Sequence, residues 1–286
     1  MTRVIITPEN PKTAEGRLTG IPVVDLFLVA VRNGGLLRAL IRRDIELRYR
    51  GSVLGAMWLV VVPLIMLAAY TFVFAVVFRA RFGETSSLAQ SSLAIYAGMI
   101  AFNLFSEPIG RAPMLIVDNA AFVKRVVFPL RIMPWMSMAT AAFGGMVSLL
   151  VLVCFHFVLA GPPPATALLA PLALVPVCLL ALGASWLLAA AGVFVRDVKH
   201  MVNMGMTLMM FVTPIFYPLS AVPERLRVVI YANPMSYSIE TFRGLLITGV
   251  TPPAAVWIGY AAGCLAFAAA GYAVFARFQR RFADVV

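Results

Sequence analysis

An all-α, polytopic membrane fold with six transmembrane helices is predicted by three features of this 286-residue chain. Hydrophobic residues make up 62% of it and charged residues 12%, about half the charged share of a soluble domain, which is near 25%. The charges are also segregated. No residue from Gly51 to Phe78 carries a formal charge, nor any from Ile132 to Val195 with His156 counted as neutral, and these runs exceed the roughly 20 apolar residues that cross a bilayer. Finally, Lys and Arg concentrate on one of the two sides that the spans define.

Residues 1–22 form a flexible cytoplasmic N-terminus. Pro8, Glu9, Pro11 and Glu15 precede any apolar run, which is unlike a cleaved signal peptide. Residues 23–50 are predicted as an amphipathic interfacial helix. Leu37, Leu40, Ile41 and Ile45 recur on one face, while Arg38, Arg42, Glu46 and Arg50 line the other. Asp44 and Arg48 stand four apart and are expected to pair across one turn.

The first span covers about 53–78 and the second about 87–106, between Glu84 and Glu107. The long uncharged run is cut by Gly161-Pro162-Pro163-Pro164 into a third span, 132–160, and a fourth, 167–195. The fifth is placed at 201–217 and the sixth at 254–276. Pro63, Pro171, Pro176 and Pro214 predict kinks or breaks. The segment 218–249 is too polar to span and too apolar for an ordinary loop. Asn233-Pro234 divides it into two short extracytoplasmic helices lying at, or re-entering, the outer leaflet; a loop packed over the span ends is the alternative.

With both termini on one side, that side holds nine basic residues before span 1, four between spans 2 and 3, two between spans 4 and 5 and three at the end, against five opposite. The bias puts the N- and C-termini in the cytoplasm of a multi-pass protein of the bacterial inner membrane. The net charge of +11 therefore points to anionic lipid at the membrane edges and not to nucleic acid.

No catalytic or metal-binding constellation is found. Lys12, Lys124 and Lys199 are the only lysines and none follows a glycine, so a nucleotide-binding Gly-Lys loop is excluded. Cys154, Cys178 and Cys264 are read as apolar packing residues, and His156 as a polar handle. Glu107, with Pro108, is expected to pair with Arg111, its i+4 neighbour. Gly259 and Gly263 make a close-packing spacing in span 6. Aromatic rings at several depths, Trp58, Tyr70 and Phe74 in span 1 with Tyr96, Phe102 and Phe105 in span 2, are candidates to stack on sugar rings in a lumen or to face lipid. Phe216, Tyr217 and Tyr231 extend that set to the outer side.

Three stretches carry a resemblance. Arg43–Phe78 (RDIELRYRGSVLGAMWLVVVPLIMLAAYTFVFAVVF), Phe122–Trp135 (FVKRVVFPLRIMPW) and Thr213–Leu246 (TPIFYPLSAVPERLRVVIYANPMSYSIETFRGLL) resemble, in order, the permease subunits of ABC exporters of lipid-linked polysaccharide, O-antigen or teichoic-acid type. The resemblance implies a half-transporter with no cofactor of its own: two copies form a channel as a homodimer, and two copies of a separate ABC ATPase, carrying ATP and Mg, dock in the cytoplasm. It implies a coupling helix within Asp118–Arg131, with Phe122, Lys124 and Arg125 at the contact, and a second contact at Arg196 and Asp197. It makes 23–50 a gate helix, where Arg48 and Arg50 meet either the pyrophosphate of an undecaprenyl-linked glycan or membrane lipid headgroups. It makes 218–249 an extracytoplasmic gate. A permease for a drug or small lipid, and a membrane-embedded glycan-transferring enzyme, are the alternatives.

Overall fold

The computed structural model describes residues 19–77, 88–123 and 128–285. Described elements are helical throughout. In order they are α1 (Pro22–Arg32), α2 (Gly34–Tyr49), α3 (Trp58–Tyr70) with a π-helical continuation (Thr71–Val77), α4 (Leu88–Leu115), α5 (Ala120–Val123), α6 (Met133–Ala160), α7 (Ala170–Ala173), α8 (Val175–Phe194), α9 (Val198–Val212), α10 (Glu224–Ala232), α11 (Pro234–Arg243) with a π-helical turn (Gly244–Thr248), and α12 (Ala254–Phe278).

The predicted interfacial helix is two helices. Asn33 interrupts it, its side-chain Nδ2 donating to the Val29 carbonyl at 2.8 Å, and Gly34-Gly35 follow with the lowest helix propensity available apart from proline. Before the break, α1 begins with Pro22 at its first turn, where a missing N–H is harmless. Buried Asp25 reaches back to the Thr19 and Gly20 amides at 2.7 and 3.2 Å.

Among the described residues, four stretches are long and apolar enough to cross a membrane: Ala89–Leu115, Leu130–Ala160, Ala165–Phe194 and Ala254–Phe282. Three of these overlap the expected spans 132–160, 167–195 and 254–276, the last running on past Arg277 to Phe282. Span 2 does not end at Ser106. Its helix runs on through Glu107, Pro108, Arg111 and Pro113 to Leu115, because both charges are paired with α2, as described below. Span 5 is shorter than expected. The residue before a proline is pushed out of the α region; Thr213, before Pro214, sits at ψ 136° and the helix stops. Fifteen residues reach about 22 Å, short of a hydrocarbon core near 30 Å.

α4 is the hub. Every residue from Ser91 to Phe102 is buried, and the helix packs on α6, α8, α9 and α11, while α12 packs on α8. Lipid tails are as apolar as leucine, so such packing depends on close approach and not on expelled water. At Gly192 an added Cβ would stand 2.0 Å from the Pro113 carbonyl oxygen of α4, and at Gly271 one would stand 2.3 Å from the Gly183 carbonyl oxygen of α8. These glycines bring backbones together. Gly259 and Gly263 do not: a Cβ at either meets nothing within 4 Å, so the spacing picked out in sequence is not used inside the protomer. Cys264 packs against Leu179 and Ala268, and His156 holds the Gly161 carbonyl at the end of α6 through Nδ1 at 2.9 Å.

One end of the bundle is tied by arginine and indole groups. The Trp186 indole, fully buried, donates to the Arg131 carbonyl at 3.2 Å and meets Tyr272 edge-on at 5.3 Å. Trp135 donates to the Leu26 carbonyl at 2.9 Å, and Arg131 bonds Gln279 at 2.9 Å. Together they join α1, α6, α8 and the end of α12.

Candidate functional site

The most chemically distinctive junction lies where α2 meets α4. Asp44 and Arg48 lie one turn apart on α2, and Glu107 and Arg111 one turn apart on α4. Arg111 grips Asp44 with two parallel hydrogen bonds, 2.9 and 2.6 Å, while Arg48 donates to Glu107 at 2.5 Å. Each pairing expected within one helix is thus replaced by a pairing between helices. An antiparallel approach sets each negative charge opposite a positive one, and a two-pronged arginine–carboxylate contact is stronger than an exposed i,i+4 pair. The Asp44 side chain keeps only 17% of its exposure. Burial by itself raises its carboxyl pKa, but the hydrogen bonds and charge of Arg111, with Arg48 nearby, bring it below the ordinary carboxylate range.

The structure separates the two arginines grouped by sequence. Arg48 is committed to Glu107. Arg50 is exposed at the end of α2 and, with Arg43, Glu46, Tyr49 and Gly55, borders an open cleft of about 690 Å³. A second cavity of about 260 Å³ opens between α2, α3, α4 and α6, lined by Tyr49, Trp58, Asn103, Glu107, Gly144 and Ser148 among others. Tyr49 borders both. Trp58 is anchored there by its indole N–H, which donates to Ser52 Oγ at 2.8 Å.

The segment after α4 also reaches α2. The Arg43 guanidinium lies 5.4 Å from the centroid of the Phe122 ring, which stacks on Phe128 at 4.5 Å. Of the expected coupling residues, Phe122 is therefore joined to the interfacial helix, whereas Lys124 and Arg125 lie outside the described residues. Arg196 and Asp197 are exposed at the turn from α8 to α9.

The aromatic candidates divide. Tyr96, Phe102 and Phe105 are buried in the protomer's own core. Tyr70, at the end of α3, meets Phe216 at 6.3 Å, bringing two of the candidates together from spans 1 and 5. Phe74 falls in the π-helical continuation of α3, its side chain outside the described ones. The Tyr217 hydroxyl donates to the Phe211 and Val212 carbonyls at 3.2 and 2.9 Å, closing the end of α9. Tyr231 is 67% exposed on α10.

Sequence reasoning counted Arg243 only as an outer basic residue. In the structure it is buried and donates to the Ala94 carbonyl at 2.7 Å, the Pro214 carbonyl at 2.6 Å, the Ile215 carbonyl and Glu240 at 3.2 Å. It caps the carbonyls that the break after α9 exposes. Burial pushes its guanidinium down to about 10, with Glu240 opposing, so it remains charged at neutral pH. Gly98 makes the room: a Cβ there would lie 2.5 Å from the guanidinium. A lone arginine inside the apolar run Thr241–Ile247 was the available signal. Asn233 completes the seam, capping α11 through the Met235 amide at 2.9 Å and donating to Thr213 Oγ1 at 2.7 Å. α10 and α11 divide at Asn233, as the Asn-Pro pair predicts.

Comparison with known proteins agrees with this architecture. The chain is 26% identical over 252 residues to an O-antigen export system permease protein of Klebsiella pneumoniae, covering 88% of this chain and 95% of that one. It is 26% identical over 254 residues to an O-antigen export system permease protein of Myxococcus xanthus, with the same coverage. The family model described as ABC-2 type transporter matches residues 35–247, from the start of α2 to the π-helical turn after α11, and on that match the chain belongs to the ABC-2 type transporter family.

Proposed function

We propose that this chain is the channel-forming permease half of an exporter that moves an undecaprenyl-linked O-antigen or related surface glycan across the bacterial inner membrane. The observation that carries the reading is the α2–α4 junction, an amphipathic helix clamped by two ion pairs beside a cavity whose apolar walls carry Asn103, Glu107 and Tyr49, in a chain similar over 88% of its length to O-antigen export permeases.

In this reading two copies form a homodimer around a shared pathway, both termini are cytoplasmic, and α3 and α9 supply the first and fifth of six spans. α10 and α11 re-enter the outer leaflet as a gate. Two copies of a separate ABC ATPase carry ATP and Mg and dock on the segment around Phe122, Lys124 and Arg125 and on the Arg196–Asp197 turn. Arg50, exposed with Arg43 beside the open cleft, receives a pyrophosphate or lipid headgroup in this reading. ATP binding acts by its differential affinity for two channel states. Phe122 and Arg43 join the docking segment to α2, which gives that difference a path to the entrance.

Deletion of the gene in its host tests the reading. Surface glycan should vanish and lipid-linked glycan accumulate on the cytoplasmic face, and the chain should co-purify with an ATPase. Unchanged surface glycan would refute it.

A further inference from the structure

We infer that the 260 Å³ cavity between α2, α3, α4 and α6 is a binding site for a single neutral sugar ring; the inference rests on the reading of this chain as a glycan exporter. It starts from Asn103. This residue lies on the central helix, between buried Phe102 and buried Leu104, and is itself exposed. Its amide makes no hydrogen bond among the described residues. Lipid tails satisfy no amide, and Asn103 lines the cavity instead.

The other walls suit the same ligand. Glu107 lies one turn, about 6 Å, along α4 from Asn103. Its Oε1 is held by Arg48, which cancels its charge, and its Oε2 has no partner among the described residues. With the carboxylate and the guanidinium paired, the wall offers no unpaired charge to either an anion or a cation, and a neutral ligand fits it. The Tyr49 hydroxyl is likewise without a hydrogen bond among the described residues. Ser148 Oγ donates to the Gly144 carbonyl at 3.0 Å and keeps its acceptor capacity. Trp58 and Tyr49 are aromatic residues of the lining, and an aromatic ring packs on the apolar face of a pyranose. An acyl chain would suit the apolar walls, Leu59, Val62, Ile100 and Leu104, but would leave the Asn103 amide, the Glu107 oxygen and the Tyr49 hydroxyl without partners. A hydroxyl-bearing ring satisfies them. From Ala141 to Ser148 the α6 wall runs two turns, about 10 Å, and Gly144 recedes with open space beside it.

The test uses the full transporter with its ATPase, purified in a detergent without a sugar head, because an alkyl glycoside would occupy the site. Methyl glycosides of glucose, galactose, mannose and N-acetylglucosamine are the probes, read by saturation transfer to their ring protons. Glycerophosphoglycerol, the headgroup of an anionic lipid, is the rival probe. At least one glycoside should bind, more strongly than glycerophosphoglycerol. Asn103→Ala should weaken it about tenfold, the value of one hydrogen bond. Gly144→Leu, whose Cβ meets nothing within 4 Å, should abolish it while thermal melting stays unchanged. Absence of binding by every glycoside, equal binding of the lipid headgroup, or binding that survives Gly144→Leu would each overturn the assignment. The exporter reading is tested separately, by surface glycan in the deletion strain.

Discussion

Removing the charge at Asp44 should release α2 from α4. Asp44→Asn leaves Arg111 in place, part-buried and facing an amide where two charge-assisted hydrogen bonds of 2.9 and 2.6 Å had been. Side-chain exposures of 17% for Asp44 and 35% for Arg111 put the pair between two regimes. A surface pair contributes up to about 1 kcal/mol, and breaking a buried one costs about 3–5 kcal/mol. About 2 kcal/mol is the corresponding estimate for this site. In hydrogen exchange, local opening of α2 then becomes about thirtyfold more frequent, confined to α2 and the facing turn of α4. The double variant Asp44→Arg, Arg111→Asp keeps opposite charges across the junction and should recover at least half of the lost protection. Acidity adds a second readout. A carboxyl whose folded pKa is lowered stabilises fully above its unfolded value, near 3.9. The contribution fades as pH falls from there through the lower folded value. Between pH 5 and pH 7, corrected exchange in α2 of the unsubstituted protein should not change. Uniform loss of protection in all helices, or no change in α2, would show that the ion pair is not what holds it.

Packing predicts a contrast between two glycines. Gly192→Ala drives a methyl to 2.0 Å from the Pro113 carbonyl and should destabilise by about 1–3 kcal/mol, seen as lost thermal stability in detergent; Gly259→Ala, in open space, should leave melting unchanged. Arg243→Met strands the Ala94, Pro214 and Ile215 carbonyls. At about 1–3 kcal/mol for each buried unsatisfied group, folded yield should fall severely. Charge reversal at Lys124 and Arg125 should separate ATP turnover from export in reconstituted vesicles without altering melting, and unaltered export would remove both from the ATPase contact.

The legible parts of the fold are those written by local chemistry. Gly161-Pro162-Pro163-Pro164 ends α6 wherever the rest of the chain goes, and Asn233-Pro234 divides α10 from α11 because the asparagine caps the second of them. What sequence missed depends on partners far along the chain. The α2–α4 pairs join residues 59 and 67 positions apart, and Arg243 reaches Ala94 across 149. Intrahelical partners at i+4 stood ready in the sequence for both Asp44 and Glu107, and nothing local says that the interhelical pairing wins. The same cause hid the length of α4. A charge reads as the end of a span only while its partner is unknown. Of the candidate site, Trp58 and Glu107 were visible as an indole and a lone acid near the membrane; Asn103 was not, since its exposure is set by how α3 and α6 stand beside α4.

Stability is unevenly spread over this protein, and the unevenness follows the six predicted spans. α4, α6, α8 and α12 are long and apolar enough to cross a bilayer, and glycines bring the backbones of α4 and α8, and of α8 and α12, into contact. α3 and α9 are of another kind. α9 is short, ends at a proline-enforced break, and turns Met201, Met204, Leu208 and Phe211 outward, each at least 60% exposed. α3 buries only Pro63 and Leu67 and passes into a π-helical continuation. Helices with few buried contacts open at lower free energy than those in a core. In a transporter the walls that change position must come from that lower end, and here they are also the two whose termini touch, through Tyr70 and Phe216. The break after α9 is in turn held by Arg243 on α11, so α3, α9 and α11 form one connected edge against the four-helix body.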